Sequence, residues 1–248
     1  MLLRILSDNR FFFLPYALFL LLGGILLFQI ETGDAIFFFS DVRSLPGDRF
    51  FYYWTKMGEE YSYVIVAIIF LFVRFRWSLL VALTGLLVSV ISYYTKMFFG
   101  RPRPRAFYEE TDVTLLEAIN LVDGMSVEDL YNNPANSFPS GHTMSGFAFY
   151  GILALLLPKK WPIQLALILT AILIGLSRVY LVQHFFEDIY AGSLLGVLIA
   201  LFIYWVNFRF PYNEKYLIDR KFGVRRPGVT DPGAAIEKEL KDPDSEAA

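Results

Sequence analysis

Cysteine is absent from this 248-residue chain, and histidine occurs only twice. The first absence excludes a disulfide framework and thiolate chemistry. No cluster of His, Asp and Glu has the spacing of a hydrolytic metal centre either. A dominant charge is missing too. The formal net charge is −2, which leaves no electrostatic footprint for a nucleic-acid partner. No N-x-S/T sequon, no internal repeat and no sustained strand-like alternation occurs.

What the chain has in excess is apolar surface. It is 56% hydrophobic and 18% aromatic, with 25 Phe and 15 Tyr, against roughly 45–50% apolar residues in soluble domains. The excess is gathered into six runs at residues 11–30, 61–73, 77–99, 143–157, 163–182 and 189–206. A spanning helix takes about 17–25 residues. The second and fourth runs fall short of that, so "FFYYW" (Phe50 to Trp54) is read as extending the second, and the turn before Thr143 as extending the fourth. The first run is too long for a signal-peptide core and no A-x-A-like cleavage site follows it, so it reads as a retained membrane helix.

The expected fold is therefore all-α: an integral membrane, six-helix transmembrane bundle over residues 1–210, because lipid leaves few other ways to satisfy a backbone. From residue 211 to 248 charge, Pro and Gly replace the apolar residues, and this stretch reads as a solvated, disordered cytoplasmic tail. Arg74 and Arg76 join runs two and three, and Lys159 and Lys160 join runs four and five. With six spans these fall on one side, which the positive-inside rule makes cytoplasmic. The expectation is a multi-pass plasma (inner) membrane protein with both termini in the cytoplasm. Arg101, Arg103 and Arg105 of "RPRPR" break the rule on the opposite side. They open a long polar loop over residues 100–140 that also carries helical patterning near "TLLEAINLV" and "SVEDLY".

Three polar clusters sit at run boundaries: "KMFFGRPRP" after run three, "PSGH" before run four, and "SRVYLVQHFFED" between runs five and six. Consecutive helices alternate direction, so all three share one membrane surface, the extracytoplasmic one. Taken singly each has a bland reading. A lysine near a helix end snorkels, a Ser-Gly turn caps a helix, and a His four residues before an Asp is a helix-surface pair. Arg101 and Glu187 keep that bland reading. Together the clusters carry more weight, because ionisable groups at membrane depth are costly and functional.

Their chemistry fits phosphoryl transfer. Lys96, Arg103 and Arg178 can surround a tetrahedral anion, arginine with a planar fork and lysine as a point charge. Ser140 and Gly141 lie where a helix N-terminus offers free backbone N–H groups. His184 and Asp188, at i and i+4 on one face of a helix, can place a carboxylate on one ring nitrogen and leave the other as a nucleophile. His142, on a different helix, can protonate a departing oxygen. No metal is needed for this.

The spacing K-x6-RP (Lys96, Arg103, Pro104), PSGH (Pro139 to His142) and SR-x5-H-x3-D (Ser177, Arg178, His184, Asp188) resembles the signature of the type 2 phosphatidic acid phosphatase superfamily. The resemblance covers roughly Ser78 to Tyr204. It implies a six-helix lipid phosphatase with a phosphohistidine intermediate and no metal or other cofactor. His184 would be the nucleophile, Asp188 its partner, and His142 acid and then base. Lys96, Arg103, Ser140, Gly141 and Arg178 would bind phosphate. "RPRP" holds two Arg-Pro pairs, and the spacing selects Arg103 over Arg101. The implied partners are a phosphorylated lipid and the bilayer, with no nucleic acid. Phosphatidylglycerophosphate, undecaprenyl pyrophosphate, phosphatidic acid and lipid A phosphate are equally compatible substrates. Two rivals stand beside this: a lipid phosphotransferase, and a transporter, whose polar residues would lie mid-helix beside Gly or Pro breaks. The superfamily's soluble haloperoxidases are disfavoured by the apolar runs.

Overall fold

The computed structural model describes residues 2–120, 136–157, 160–210 and 217–220. Among them all regular structure is helical: α1 (Leu2–Asp8), α2 (Arg10–Gln29), α3 (Asp34–Asp41), α4 (Leu45–Lys56), α5 (Glu60–Leu71), α6 (Phe75–Phe99), α7 (Pro104–Thr111), α8 (Val113–Ala118), α9 (Gly141–Leu156), α10 (Trp161–Tyr180), α11 (Phe186–Asn207), and a 3-10 turn at Leu217–Asp219. Among the described residues, four stretches are long and apolar enough to cross a membrane: Arg10–Gln29, the stretch Phe75–Thr111 that contains α6, Trp161–Tyr180 and Phe186–Asn207. The helices α5 and α9 are apolar but shorter.

The short helix α9 is the hub. Every residue from Thr143 to Leu155 is buried, so it is apolar all round because it is enclosed all round. Its tightest neighbour is α11, and glycine explains the approach. A Cβ on Gly196 would fall 2.5 Å from the Met144 carbonyl oxygen and 2.8 Å from the Phe147 Cβ. A Cβ on Gly192 would fall 2.7 Å from the Ser140 carbonyl oxygen. These two glycines, four apart on one helix face, let two backbones meet, as small residues do between membrane helices. The consequence is local to the site: the N-terminal ends of α9 and α11 are held side by side, and the Ser140 N–H donates to the Asp188 carbonyl at 3.0 Å.

Two sequence expectations need correction here. "FFYYW" does not extend the second apolar run; it belongs to α4, which ends before the turn Met57–Glu59 and packs on α10 through Trp54 Nε1, 3.4 Å from the Thr170 carbonyl. The cue lay in the letters before it: Ser44 caps α4 by accepting from the Gly47 N–H, with proline in the first turn. The His184–Asp188 pair does not lie on one helix face either. His184 precedes α11, and Asp188 folds back as its N-terminal cap, accepting from the Phe185 N–H at 2.9 Å.

At the opposite end of α6 from the site, Arg76 forms a buried pair with Asp219 through Nε at 2.5 Å and Nη2 at 2.7 Å, and Nη1 donates to the Phe210 carbonyl. Of the tail expected over 211–248, these four residues, 217–220, are described; the remainder, like "SVEDLY" and Lys159, lies outside the described residues.

Candidate active site

Four helix ends converge. Lys96 sits in the last turn of α6, which a left-handed Gly100 terminates (φ 54°). The chain then runs extended through Arg101–Arg103 to Pro104 at the start of α7. Ser140 caps α9: its Oγ accepts from the Thr143 N–H at 3.4 Å and the Thr143 hydroxyl at 2.9 Å. Gly141 and His142 occupy the first turn, ahead of the helix's own hydrogen-bond ladder. Arg178 lies in the last turn of α10, and His184 in the turn between α10 and α11.

That turn depends on one unusual residue. Val182 has φ of 56°, the left-handed region that a β-branched side chain rarely enters. It reverses the chain so that the N–H groups of Gln183 and His184 both donate to the Arg178 carbonyl, at 2.9 and 3.2 Å. The imidazole is thereby carried back into the bundle, where it is 1% exposed.

The eight residues singled out from the sequence lie together in the structure. Lys96, Arg103 and Arg178 are close enough to His142 for their charges to be felt at its ring, His184 is close enough to couple to it, and Asp188 acts electrostatically on Lys96 and Arg103. A Cβ on Gly141 would sit 3.3 Å from Lys96 Nζ, so the ammonium overhangs the start of α9. Arg103 donates through Nη1 to Gln183 Oε1 at 2.8 Å, and Arg178 donates through Nη1 to the Thr55 hydroxyl at 2.8 Å. Among the described residues, the Nε–H groups of both arginines are buried without a hydrogen-bond partner. Two orphaned guanidinium donors beside a lysine are costly unless an acceptor visits them, and an oxyanion supplies acceptors of the right charge.

Asp188 is fully buried and accepts from three sides. Ser137 donates its hydroxyl to Oδ2 at 2.5 Å, the Phe185 N–H donates to the same oxygen, and Arg101 Nη1 lies 3.5 Å from Oδ1. His184 Nδ1 is 3.4 Å from Asp188 Oδ2 and 3.3 Å from Ser137 Oγ. The serine's one proton is committed to Asp188, so its lone pair faces Nδ1. That arrangement assigns the Nδ1–H tautomer and leaves Nε2 with a free lone pair. Burial, with the charges of Arg178, Arg103 and Lys96, holds the His184 pKa well below the usual histidine value. The ring is therefore neutral at pH 7.

Arg101 and Glu187, read from sequence as bystanders, pair with each other at 2.6 Å, and Arg101 stacks its guanidinium 5.0 Å from the Phe185 ring. Arg101 thus turns its fork to the carboxylates of Glu187 and Asp188. Sequence reasoning passed over Ser137, Gln183 and Thr55. The first two flank the motifs at PSGH and at His184, and no pattern marks Thr55.

A cavity of about 1160 Å³ opens from Lys96, Gly141 and His142 and runs between α5 and α6 to Leu71 and Ser78. Along α6, Lys96 to Ser78 spans about 27 Å at 1.5 Å per residue. Glu59, Tyr63 and Ser92 line it near the site. Among the described residues no three His, Asp or Glu side chains converge as metal ligands.

Comparison with known proteins gives concordant results. The profile of the PAP2 superfamily matches residues 75–212, more than half of the chain. Lipid phosphate phosphatase 1 of Arabidopsis thaliana is 34% identical over 146 residues, covering 52% of this chain and 44% of that protein. Phosphatidylglycerophosphatase B of Bacillus subtilis is 34% identical over 82 residues, covering 30% of this chain and 40% of that protein. The matches thus span less than half the length of these curated relatives. The crystal structure of Aquifex aeolicus LpxE superposes with a TM-score of 0.56 at 27% identity, covering 68% of this chain and 92% of that one.

Proposed function

The chain belongs to the PAP2 superfamily, and on that premise we propose that it is a membrane lipid phosphatase working through a phosphohistidine. The observation that carries this reading is the convergence of Lys96, Arg103 and Arg178, two of them with orphaned buried donors, around a neutral, carboxylate-held imidazole. Similarity to phosphatases whose names specify phosphorylated lipids supports the substrate class, as does an apolar groove long enough for an extended acyl chain.

In this mechanism the phosphoryl oxygens lie against Lys96, Arg103, Arg178 and the N–H groups at Ser140 and Gly141, which offset the charge that builds in the transition state. The Nε2 lone pair of His184 attacks phosphorus while the P–O bond to the lipid breaks, and His142 gives its proton to the departing alkoxide. Asp188 stabilises the imidazolium that forms. Neutral His142 then takes a proton from water, the hydroxide displaces His184 from phosphorus, and phosphate leaves. Charge stabilisation comes from side chains, so no metal or cofactor is required.

The proposed arrangement in the cell is six spans over residues 1–210, counting α5 and α9, with the site on the extracytoplasmic face of the plasma membrane and 211–248 as a cytoplasmic tail. The lipid's chain would lie in the groove while its phosphate meets the polar surface. Phosphate release by the purified protein from phosphatidylglycerophosphate, undecaprenyl pyrophosphate, phosphatidic acid and lipid A phosphate, with EDTA present, tests the function and ranks the substrates. No release from any of them overturns it. Cysteines introduced at Ser126 and Ser245 of this cysteine-free chain test orientation. Impermeant reagent should reach the first and not the second in intact cells.

A further inference from the structure

Among the described residues, Arg43, Arg76, Arg101 and Arg105 each have a carboxylate within ion-pair distance, whereas Lys96, Arg103 and Arg178 have none. The contrast is sharpest two residues apart: Arg101 takes Glu187 and Asp188, while Arg103 takes an amide. That amide is Gln183, which is 9% exposed. Its Oε1 accepts from Arg103 Nη1 at 2.8 Å and lies 3.5 Å from Arg178 Nη2. One neutral oxygen therefore stands between two guanidinium groups from distant parts of the chain.

Like charges this close repel, and long side chains would splay apart without a common anchor. A carboxylate could anchor both forks, but it would cancel the charge that an anion needs and occupy the same donors. An amide oxygen orients the forks and cancels nothing. The second anchor of Arg178, the Thr55 hydroxyl at 2.8 Å, is neutral as well. The Nε–H groups of both arginines remain for an incoming acceptor. The left-handed turn at Val182 that carries His184 into the bundle delivers Gln183 at the same time.

Resting on the reading of this pocket as a phosphoryl site, we propose that Gln183 is a positioning residue that sets the forks of Arg103 and Arg178 for an oxyanion without placing an ion-paired carboxylate on either. It touches the arginines and acts through them.

The test uses the full chain purified in detergent, with orthovanadate as the probe and an aryl phosphate as the reporter substrate. Gln183→Met keeps length and removes the acceptor. Gln183→Glu keeps shape and adds the charge. Gln183→Asn serves if the apolar variant fails to fold. Loss of a hydrogen bond to a charged group is worth about ten- to a hundredfold. Gln183→Met should therefore raise KM and the vanadate inhibition constant about tenfold, with kcat changed less than about threefold. Gln183→Glu should weaken vanadate at least about tenfold further and abolish the rise in melting temperature that vanadate gives the parent. Gln183→Asn leaves the amide too short to reach both forks, so it should resemble Gln183→Met. A merely structural glutamine would lower the melting temperature of all variants and leave vanadate affinity within about twofold of the parent, and that result overturns the proposal. So does a Gln183→Glu enzyme that binds vanadate no more weakly than Gln183→Met, since neutrality would then be irrelevant. If the parent itself shows neither a vanadate shift nor inhibition, the phosphoryl-site reading falls and this one with it.

Discussion

Ser137 donates its hydroxyl to Asp188 at 2.5 Å, from a position 51 residues earlier in the chain. With its Oγ 3.3 Å from His184 Nδ1, the serine supports both members of the pair, and its own N–H is held by the Arg101 carbonyl at 2.8 Å. Ser137→Ala removes one of the bonds that fix the carboxylate and an acceptor for Nδ1–H. We expect kcat to fall about tenfold with KM nearly unchanged, on the scale of one hydrogen bond to a charged group. Asp188→Asn should cost more, because it disturbs the tautomer itself. Steady-state kinetics of the two variants decide this; a Ser137→Ala enzyme with full kcat removes the serine from the mechanism.

The two histidines should separate by leaving group. A lipid alkoxide needs a proton, so His142→Ala should cost about 10²–10⁴-fold on an alkyl phosphate, the scale of general acid catalysis. An aryl phosphate expels a stabilised phenolate, and the same variant should retain more activity there. His184→Ala should lose both substrates. Acid-labile, base-stable phosphoenzyme should still be trapped from the aryl substrate with His142→Ala and never with His184→Ala. Label on the His184 variant would mean that another residue is the nucleophile.

The acid limb of activity should lie lower than an ordinary histidine would place it. The His184 pKa is depressed, by burial first and then by Arg178, Arg103 and Lys96. A depressed pKa keeps the ring unprotonated, and so nucleophilic, as pH falls through about 6.5. In the profile of kcat/KM, corrected for the substrate's own second ionisation near about pH 6, the loss of activity toward acid should begin only below that range. A corrected fall toward acid with its midpoint at about 6.5 or above contradicts the assignment.

Arginine-to-lysine exchanges should rank Arg103 and Arg101 in opposite ways. Arg103 uses its fork on Gln183 and has a buried, unpartnered Nε–H, which a point charge cannot reproduce. Arg103→Lys should lower kcat/KM by about tenfold or more. Arg101 is partly exposed and engaged with Glu187 and Asp188, so Arg101→Lys should cost only a fewfold. The reverse order would put Arg101 in the phosphate pocket.

Gly196→Ala tests the contact that aligns the site. Its Cβ would meet the Met144 oxygen at 2.5 Å and the Ala148 nitrogen at 3.0 Å, backbone atoms that cannot swing aside. Overpacking costs about 1–3 kcal/mol, which lowers the melting temperature by about 2–10 °C in a chain of this size. Leu198→Ala, on an exposed face of the same helix, should do little. Equal melting temperatures for the two variants would show that α9 and α11 have room to spare.

The helices long and apolar enough to cross a membrane were legible in the letters, because such a helix is written as an uninterrupted apolar run. The runs at residues 11–30, 77–99, 163–182 and 189–206 correspond to α2, α6, α10 and α11 within a few residues. Alternating helix direction then brought Lys96, Ser140, Arg178 and His184 to one end without any coordinates. The sequence also marked Lys96, Arg178 and His184 because ionisable groups are conspicuous among apolar neighbours, and Ser140 because it stands in a Ser-Gly turn at the start of an apolar run. Tertiary structure decided the rest. Ser137, Gln183 and Thr55 are neutral, polar and part of no motif; what each does depends on which atom lies about 3 Å away. Those atoms belong to segments that only folding brings near: Thr55 meets Arg178 across 123 residues, and Gln183 meets Arg103 across 80. The left-handed Val182 was equally silent, since a β-branched residue gives no cue for a conformation that glycine favours. Composition and spacing thus determined where charge is concentrated, while the long-range contacts of folding decided how each charge is held and which of them have no carboxylate within ion-pair distance.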